Sequence, residues 1–306
     1  MQEKRLKTSF GQEIYVYTLK PETPPIASIN LFHGASEHAL RYLETAEALV
    51  EEGFLVVMHD HLGHGKTKTL DNAVFFDANG GAQKLIDSCY EVAQYTFDLC
   101  PNKPHFVIAH SMGSLILRAL NTQHNDLFDG VVYIGSPIVP SFKLKAIRLL
   151  AKFVKRFKGP MHVSPLVTNL TQNKAYESMR KKGLIEHRYE WATSNVEIQN
   201  QSRNDPLIGL PFTISAQIDL FTIILWAHQR SQLKHPGNLH YVLCGEEDAL
   251  CQYGEGAKQL SDQFLQYGYT NVRYKVYSNA RHELLNEPIR KKVLNDIVEH
   301  FKKSID

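Results

Sequence analysis

Ser111 is the residue of this 306-residue chain best placed to do chemistry. The stretch Phe106-Val107-Ile108-Ala109-His110-Ser111-Met112-Gly113-Ser114-Leu115 reads as a strand running directly into a helix, with the serine at the corner. So tight a corner strains the serine backbone and brings the residues two positions away close to neighbouring chain, so both must be small. Here they are Ala109 and Gly113. The turn lifts the hydroxyl clear of the sheet and sets it at a helix N-terminus, where free N–H groups favour developing negative charge. The pattern small-x-Ser-x-Gly is weak alone, and Ala109 stands where glycine is the usual form. Its weight comes from the strand before it, the helix after it, and an earlier strand ending in His33-Gly34. The competing reading is a serine that caps an ordinary helix.

A serine at neutral pH needs an adjacent base. With 15 histidines in the chain, position decides which one. In an elbow of this kind the partners follow in the order serine, acid, histidine, each in a loop after a strand. The run His240–Cys244 ends in Gly245-Glu246-Glu247-Asp248, and Val272–Tyr277 ends in Ser278-Asn279-Ala280-Arg281-His282-Glu283. Both loops open at the sheet edge that presents Ser111. His282 is therefore the expected base and Asp248 the acid that fixes its tautomer, with Glu246 and Glu247 as competitors for that role. His300 falls inside the last helix and reads as structural. Acyl transfer also needs two N–H donors aimed at the oxyanion. Met112, after the nucleophile, and Ala35, in the loop after the first parallel strand, are the expected donors.

A second cluster competes for attention. His59-Asp60-His61-Leu62-Gly63-His64 has the look of a zinc-binding loop, and three imidazoles can hold zinc. The metallo-β-lactamase pattern His-x-His-x-Asp-His is broken, because Gly63 replaces its aspartate. The favoured reading is a tight loop turned by Gly63 and Gly65 and tied down by Asp60, with no metal. His282-Glu283-Leu284-Leu285-Asn286 likewise lacks the second histidine of a zinc protease.

The elements that must position these residues follow from apolar spacing. Thr8–Phe10 and Ile14–Thr18 read as a hairpin joined at Gly11. Strands then alternate with helices: Ile26–Phe32, helix Arg41–Glu52, Phe54–Met58, helix Gln83–Leu99, His105–Ala109, helix Met112–Asn121, Val131–Ile134. The strands are almost continuous apolar runs, which argues for a mostly parallel sheet covered on both faces. From about Ser136 to Pro236 the pattern is helical, with no clear strand. Alternation then resumes with His240–Cys244, helix Gly256–Tyr267, Val272–Tyr277 and helix Glu287–Phe301. The expected organisation is an α/β core of residues 1–135 and 237–306, with residues 136–236 inserted after the sixth strand as a helical cap.

Taken together, His33-Gly34-Ala35-Ser36-Glu37-His38, Asp60-His61-Leu62-Gly63-His64-Gly65, Ala109-His110-Ser111-Met112-Gly113, Gly245-Glu246-Glu247-Asp248 and His282-Glu283 resemble the monoacylglycerol lipase and lysophospholipase branch of the α/β hydrolases, often labelled serine aminopeptidase-like. The resemblance covers nearly the whole α/β part and fades over Ser136–Pro236. It implies the α/β-hydrolase fold, a two-step acyl-enzyme mechanism without a cofactor, and a cap over the site. It supports Ser111, Asp248 and His282, and the backbones of Ala35 and Met112. It also implies that Cys251 lies near the pocket. An inert buried thiol is the rival reading for Cys251. His110 and Leu250 are expected to line the same pocket.

Composition limits the partners. A net charge of +2 with 43% hydrophobic and 22% charged residues is ordinary globular composition and gives no reason to expect nucleic acid. No apolar run follows the basic start of the chain and none is long enough to span a bilayer, which points to a cytoplasmic protein with free thiols. Charge is concentrated in Lys143–Lys158, which contains no acid. At 100° per residue, Lys145, Arg148, Lys152, Lys155 and Arg156 fall in an arc of roughly 100°, with Leu144, Ile147, Leu150, Val154 and Phe157 opposite. Such a helix either packs its apolar face inward or lies on an anionic membrane surface. Apolar residues from Leu207 to Trp226 suit an acyl chain. The expected activity is hydrolysis of monoacylglycerols, lysophospholipids or similar lipid esters. The alternatives are a peptidase or amidase on the same triad, a metal hydrolase using His59, His61 and His64, and a non-catalytic binding protein.

Overall fold

Both faces of the central strands are covered, which is why they read as unbroken apolar runs rather than as alternating ones. In the computed structural model, which describes residues 1–124, 127–171, 173–230 and 235–305, the strands are β1 (Gln2–Lys7), β2 (Glu13–Leu19), β3 (Ala27–Phe32), β4 (Phe54–His59), β5 (His105–His110), β6 (Gly130–Ile134), β7 (Leu239–Gly245) and β8 (Val272–Tyr277). They form one sheet in the order β1-β2-β4-β3-β5-β6-β7-β8. The first two strands run antiparallel to their neighbours and the rest are parallel. The outer strands differ from the inner ones. β1 is exposed along most of its length and carries Lys4, Arg5 and Lys7; β8 carries exposed Arg273 and Tyr274.

The helices are α1 (Leu43–Glu51), α2 (Gly81–Leu99), α3 (Met112–Gln123), α4 (Ser141–Lys158), α5 (Pro165–Thr171), α6 (Asn173–Lys181), α7 (Val196–Asn204), α8 (Ile214–Ala227), α9 (Glu255–Tyr267) and α10 (Arg290–Lys302). On β5, Phe106 and Ile108 face the cluster that contains Leu49 of α1 and Ile297 of α10. Val107 and Ala109 face the opposite cluster, built from α2, α3, α8 and α9. This is the three-layer arrangement read from the sequence. Between β6 and β7 the described residues form helices and a short 3-10 turn, Arg188–Trp191, with isolated bridges at Phe212 and Thr213 as their only β pairing. Gln172 and residues 231–234 of that stretch lie outside the described residues. Its last helix, α8, packs Ile214, Phe221 and Ile223 into the same cluster as α2 and α3.

Two local readings are corrected. The first strand is the polar Gln2–Lys7, not Thr8–Phe10, which makes the turn: Thr8 N–H donates to Gln12 O at 2.8 Å and Gly11 N–H to Thr8 O at 2.9 Å. The inward face of α4 also differs from the expected one. Leu144 and Ala151 are buried and Ile147 and Val154 half-buried, whereas Phe157 is 69% exposed, with Phe142, Leu149 and Phe153 at 71, 71 and 64%. At helical spacing these four aromatic and aliphatic side chains form a stripe opposite the buried face, beside exposed Lys145, Lys152 and Arg156. No described helix is long and apolar enough to cross a membrane.

Candidate active site

Ser111 closes β5 and opens α3 with φ 50° and ψ −114°, a left-handed conformation that non-glycine residues adopt only where the surroundings impose it. The corner is fixed from both sides. The Ser111 amide donates to Ile134 O of β6 at 2.8 Å, and Ser114 Oγ donates to Ser111 O at 2.5 Å. Gly113 explains the need for a small residue: a Cβ there would stand 2.4 Å from Phe32 O of β3. Ala109 is fully buried between Phe32 and Tyr133 of the flanking strands, so its methyl fits where the usual glycine would be.

The loops after β7 and β8 bring Asp248 and His282 to this corner. Ser111 Oγ lies 2.8 Å from His282 Nε2, and His282 Nδ1 lies 2.8 Å from Asp248 Oδ2. A carboxylate can only accept, so Nδ1 carries the proton and Nε2 is left as the acceptor facing the hydroxyl. Burial pulls the His282 imidazole down, but the charge and hydrogen bond of Asp248 outweigh it and raise its pKa above 6.5. Burial pushes the Asp248 carboxyl up, and the charge and hydrogen bond of His282 more than offset this, holding it below the usual range. Asp248 Oδ1 accepts from the backbone N–H of Leu250 at 2.8 Å and of Cys251 at 3.4 Å. The backbone amides of Leu250 and Cys251 thus meet Asp248, and the Cys251 thiol also donates to Ser136 O at 3.6 Å. Hydrogen bonding with Cys244 and burial push the Cys251 thiol well above its ordinary value, so it stays protonated. Of the competing acids, Glu246 is exposed and Glu247 pairs with Arg281 at 3.3 Å.

Ala35 lies in the loop after β3, and Met112 begins α3. That loop abuts Ser111, since a Cβ at Gly34 would stand 3.2 Å from Ser111 Cβ. It is tied down on either side of Ala35. His33 Nδ1–H donates to Gly34 O at 2.8 Å, and Ser36 N–H donates to His64 Nε2 at 3.1 Å. Beyond β6, Gly209 N–H donates to Ser36 O at 2.8 Å.

Beneath the loop sits a buried ionic network that the sequence did not announce. Glu37 accepts from the Gly34 amide and from the Tyr42 hydroxyl at 2.8 Å, faces His110 Nδ1 at 3.1 Å, and pairs with Arg41. Arg41 also pairs with Glu283, directly after His282. His110, expected to line the pocket, is buried in this network with its ring centroid 4.7 Å from that of His282. Burial works against ionising Glu37 and Glu283; the Arg41 guanidinium beside them prevails and keeps both carboxyls below their usual range. The visible signals were the place of Glu37 and Glu283 within the two motifs and the spacing of Glu37 and Arg41, four apart after His-Gly. Trp191, between β6 and β7, was also missed: its ring stacks on His282 at 5.0 Å.

The histidine cluster takes a different form from the one in the sequence. His59 and His61 converge with Cys89 of α2, their ligand atoms within 4.8 Å of one another. His64 is engaged elsewhere, donating from Nδ1 to Leu62 O at 3.0 Å. His61 Nε2–H donates to His33 O at 3.2 Å, which leaves its Nδ1 facing Cys89 Sγ at 3.4 Å. His59 Nδ1 has no partner among the described residues. A metal held through His59 Nε2 would leave a buried Nδ1–H without the acceptor that ligating histidines normally have. The trio is better described as a buried thiol–imidazole contact.

An eight-stranded, mostly parallel sheet with a serine on the strand-to-helix corner and a histidine and a buried aspartate on the following loops defines an α/β hydrolase. The family model described as serine aminopeptidase, S33, matches residues 23–289, and the chain belongs to that family of serine hydrolases. A monoglyceride lipase homolog of monkeypox virus is 24% identical over 295 residues, 93% of this chain and 92% of the viral one. Human monoglyceride lipase is 32% identical over 176 residues, 55% of this chain and 56% of its own. Among solved structures, a carboxyl esterase from Bacillus coagulans in complex with glycerol has a TM-score of 0.86 at 22% identity, covering 100% of this chain and 99% of that one. A monoglyceride lipase variant from Saccharomyces cerevisiae in complex with a substrate analog has a TM-score of 0.74 at 15% identity, covering 99% and 94%. These two likenesses are of fold.

Proposed function

We propose that the protein hydrolyses lipid-like carboxylic esters, of the monoacylglycerol or lysophospholipid kind, through an acyl-enzyme on Ser111. The observation that carries this reading is the chain of two 2.8 Å contacts from Ser111 Oγ through His282 to Asp248. The hydroxyl attacks the ester carbonyl as His282 Nε2 takes its proton. The oxyanion is received by the amides of Ala35 and Met112. The imidazolium, held by Asp248, protonates the departing alcohol as the ester C–O bond breaks. Water repeats the sequence on the acyl-enzyme, freeing the carboxylic acid and returning the proton to Ser111. The monoglyceride lipase names carried by its relatives favour a lipid ester over a peptide.

Residues 136–236 carry the cap in this reading, with their last helix, α8, returning to pack on the core formed by 1–135 and 237–306. The exposed stripe of Phe142, Leu149, Phe153 and Phe157, flanked by basic residues, suits docking on an anionic bilayer from which such substrates are drawn. An aminopeptidase reading is suggested by the family description alone. The test is intact-mass labelling with a fluorophosphonate followed by a comparison of a monoacylglycerol with an aminoacyl anilide. One adduct on the wild type, none on Ser111→Ala, and preferential turnover of the ester are expected. An unlabelled, folded wild type would overturn the mechanism, and comparable anilide turnover the substrate class.

A further inference from the structure

We infer that Trp191 is a positioning residue for the hydrolytic reaction: its indole is the wall against which the His282 imidazole is held while it takes and returns the nucleophile's proton. This rests on the reading of His282 as the base.

Three observations carry it. The two rings stack with centroids 5.0 Å apart and planes 29° from parallel. The backbone around Trp191 is bonded to the residues around His282 in matching order. Arg281 Nη1 donates to Glu190 O at 2.7 Å, and the Glu283 amide donates to Ala192 O at 2.7 Å, so Trp191 lies opposite His282 between two fixed points. Further bonds extend the seam, from Arg281 Nη2 to Leu184 O at 2.8 Å and from Thr193 Oγ1 to Asn286 O at 3.0 Å. The ring is also confined at its edge, where a Cβ on Gly135 would stand 2.9 Å from His282 Cε1.

The chemistry gives the stack a purpose. In its basic form the His282 imidazole is neutral, and it becomes an imidazolium as Ser111 attacks. The face of an indole attracts a cation and is the best aromatic partner for one. The stack therefore strengthens as the reaction proceeds, which is the condition for speeding the chemical step rather than binding alone. The other groups around His282 are Asp248 on Nδ1, Ser111 on Nε2, His110 beside the ring, and the Glu37–Arg41–Glu283 network. None of them offers an aromatic carbon face parallel to the imidazole.

The test compares Trp191→Leu and Trp191→Phe with the wild type on a short, soluble ester, and follows the rate of Ser111 labelling by a fluorophosphonate. Trp191→Leu is expected to lower kcat and the labelling rate about tenfold with KM nearly unchanged, and to move the acid limb of kcat/KM to lower pH, because a less stabilised imidazolium protonates later. Trp191→Phe should recover most of the loss. A second readout needs no substitution at the stack. With Trp226→Phe, which leaves one tryptophan, the emission of Trp191 should rise as His282 loses its proton, with the midpoint of the acid limb, and His282→Gln should abolish the change. Equal labelling rates in wild type and Trp191→Leu, or emission flat through the limb, would overturn the inference while leaving the hydrolase reading intact. A wild type with no adduct on Ser111 would overturn the hydrolase reading, and this inference with it.

Discussion

Arg41 forks onto Glu283, with Nη1 2.9 Å from Oε1 and Nη2 2.7 Å from Oε2, across 242 positions of sequence. The same guanidinium holds Glu37, whose carboxylate receives the Gly34 amide. The loop that carries Ala35 and the loop that carries His282 are thereby joined through one buried cation. Removing it would leave two carboxylates buried without a counter-charge. Arg41→Met should destabilise the protein by about 3–5 kcal/mol, the cost of breaking a buried ion pair from one side. Urea unfolding checks this, and a midpoint equal to that of the wild type would show that the network is not structural.

With His282 as the proposed base, its raised pKa should set the acid side of the pH profile. The base acts when neutral, so kcat/KM should fall as pH drops through a value above 6.5. The carboxylate of Asp248 is the chief cause of the rise. Asp248→Asn should therefore move the limb to lower pH while cutting kcat by on the order of 10⁴-fold, because the tautomer is no longer fixed. Rate profiles from pH 5 to 9 decide this; a limb that stays put or moves up in the variant would contradict the assignment of the acid.

Stability should fall steeply on mild acidification. Burial lowers the pKa of His33 and His105 to about 4, and of His59, His64 and His240 to about 3. Each is neutral in the fold but protonates near 6.5 when unfolded, so between those values the unfolded chain binds more protons. Stability then rises with pH across that window and is lost as pH falls through it, at up to about 1.4 kcal/mol per pH unit for each histidine. Two groups shifted the other way oppose this: His282, and Asp219, whose carboxyl is raised by burial to about 6. Urea midpoints at pH 7, 6 and 5 give the slope, and a flat series would mean that these imidazoles are protonated in the fold.

The exposed stripe on α4 gives a separable expectation. Leu149→Glu with Phe153→Glu alters side chains 71 and 64% exposed, so turnover of a soluble ester should be unchanged. Sedimentation with vesicles containing an anionic lipid should be lost. Equal sedimentation of variant and wild type would remove α4 as the docking surface.

The parts that were legible in the sequence are those where one physical requirement acts locally. Burial on both faces makes Phe106–Ala109 and Phe54–Met58 continuous apolar runs, and the elbow needs small residues at 109 and 113. The polar strand Gln2–Lys7 carries no such mark, because it lies at an exposed sheet edge, and the apolar Phe10 drew the reading into the turn. Residues 144–157 have two apolar faces, and periodicity alone does not say which meets the core. Glu37, Arg41, Glu283 and Trp191 were hidden for another reason. Their partners are distant in sequence, so a buried charge or a stacked ring reads like any surface residue until the loops meet.

The two edges of the sheet, β1 and β8, both carry exposed cations. A strand added at β1 would have to lay its backbone beside Lys4, Arg5 and Lys7, and one added at β8 beside exposed Arg273 and Tyr274. Cationic borders of this kind discourage edge-to-edge pairing during synthesis, when the unbroken apolar strands of the interior are most at risk of finding the wrong neighbour. The residues that made β1 unreadable as a strand thus act as a guard against aggregation.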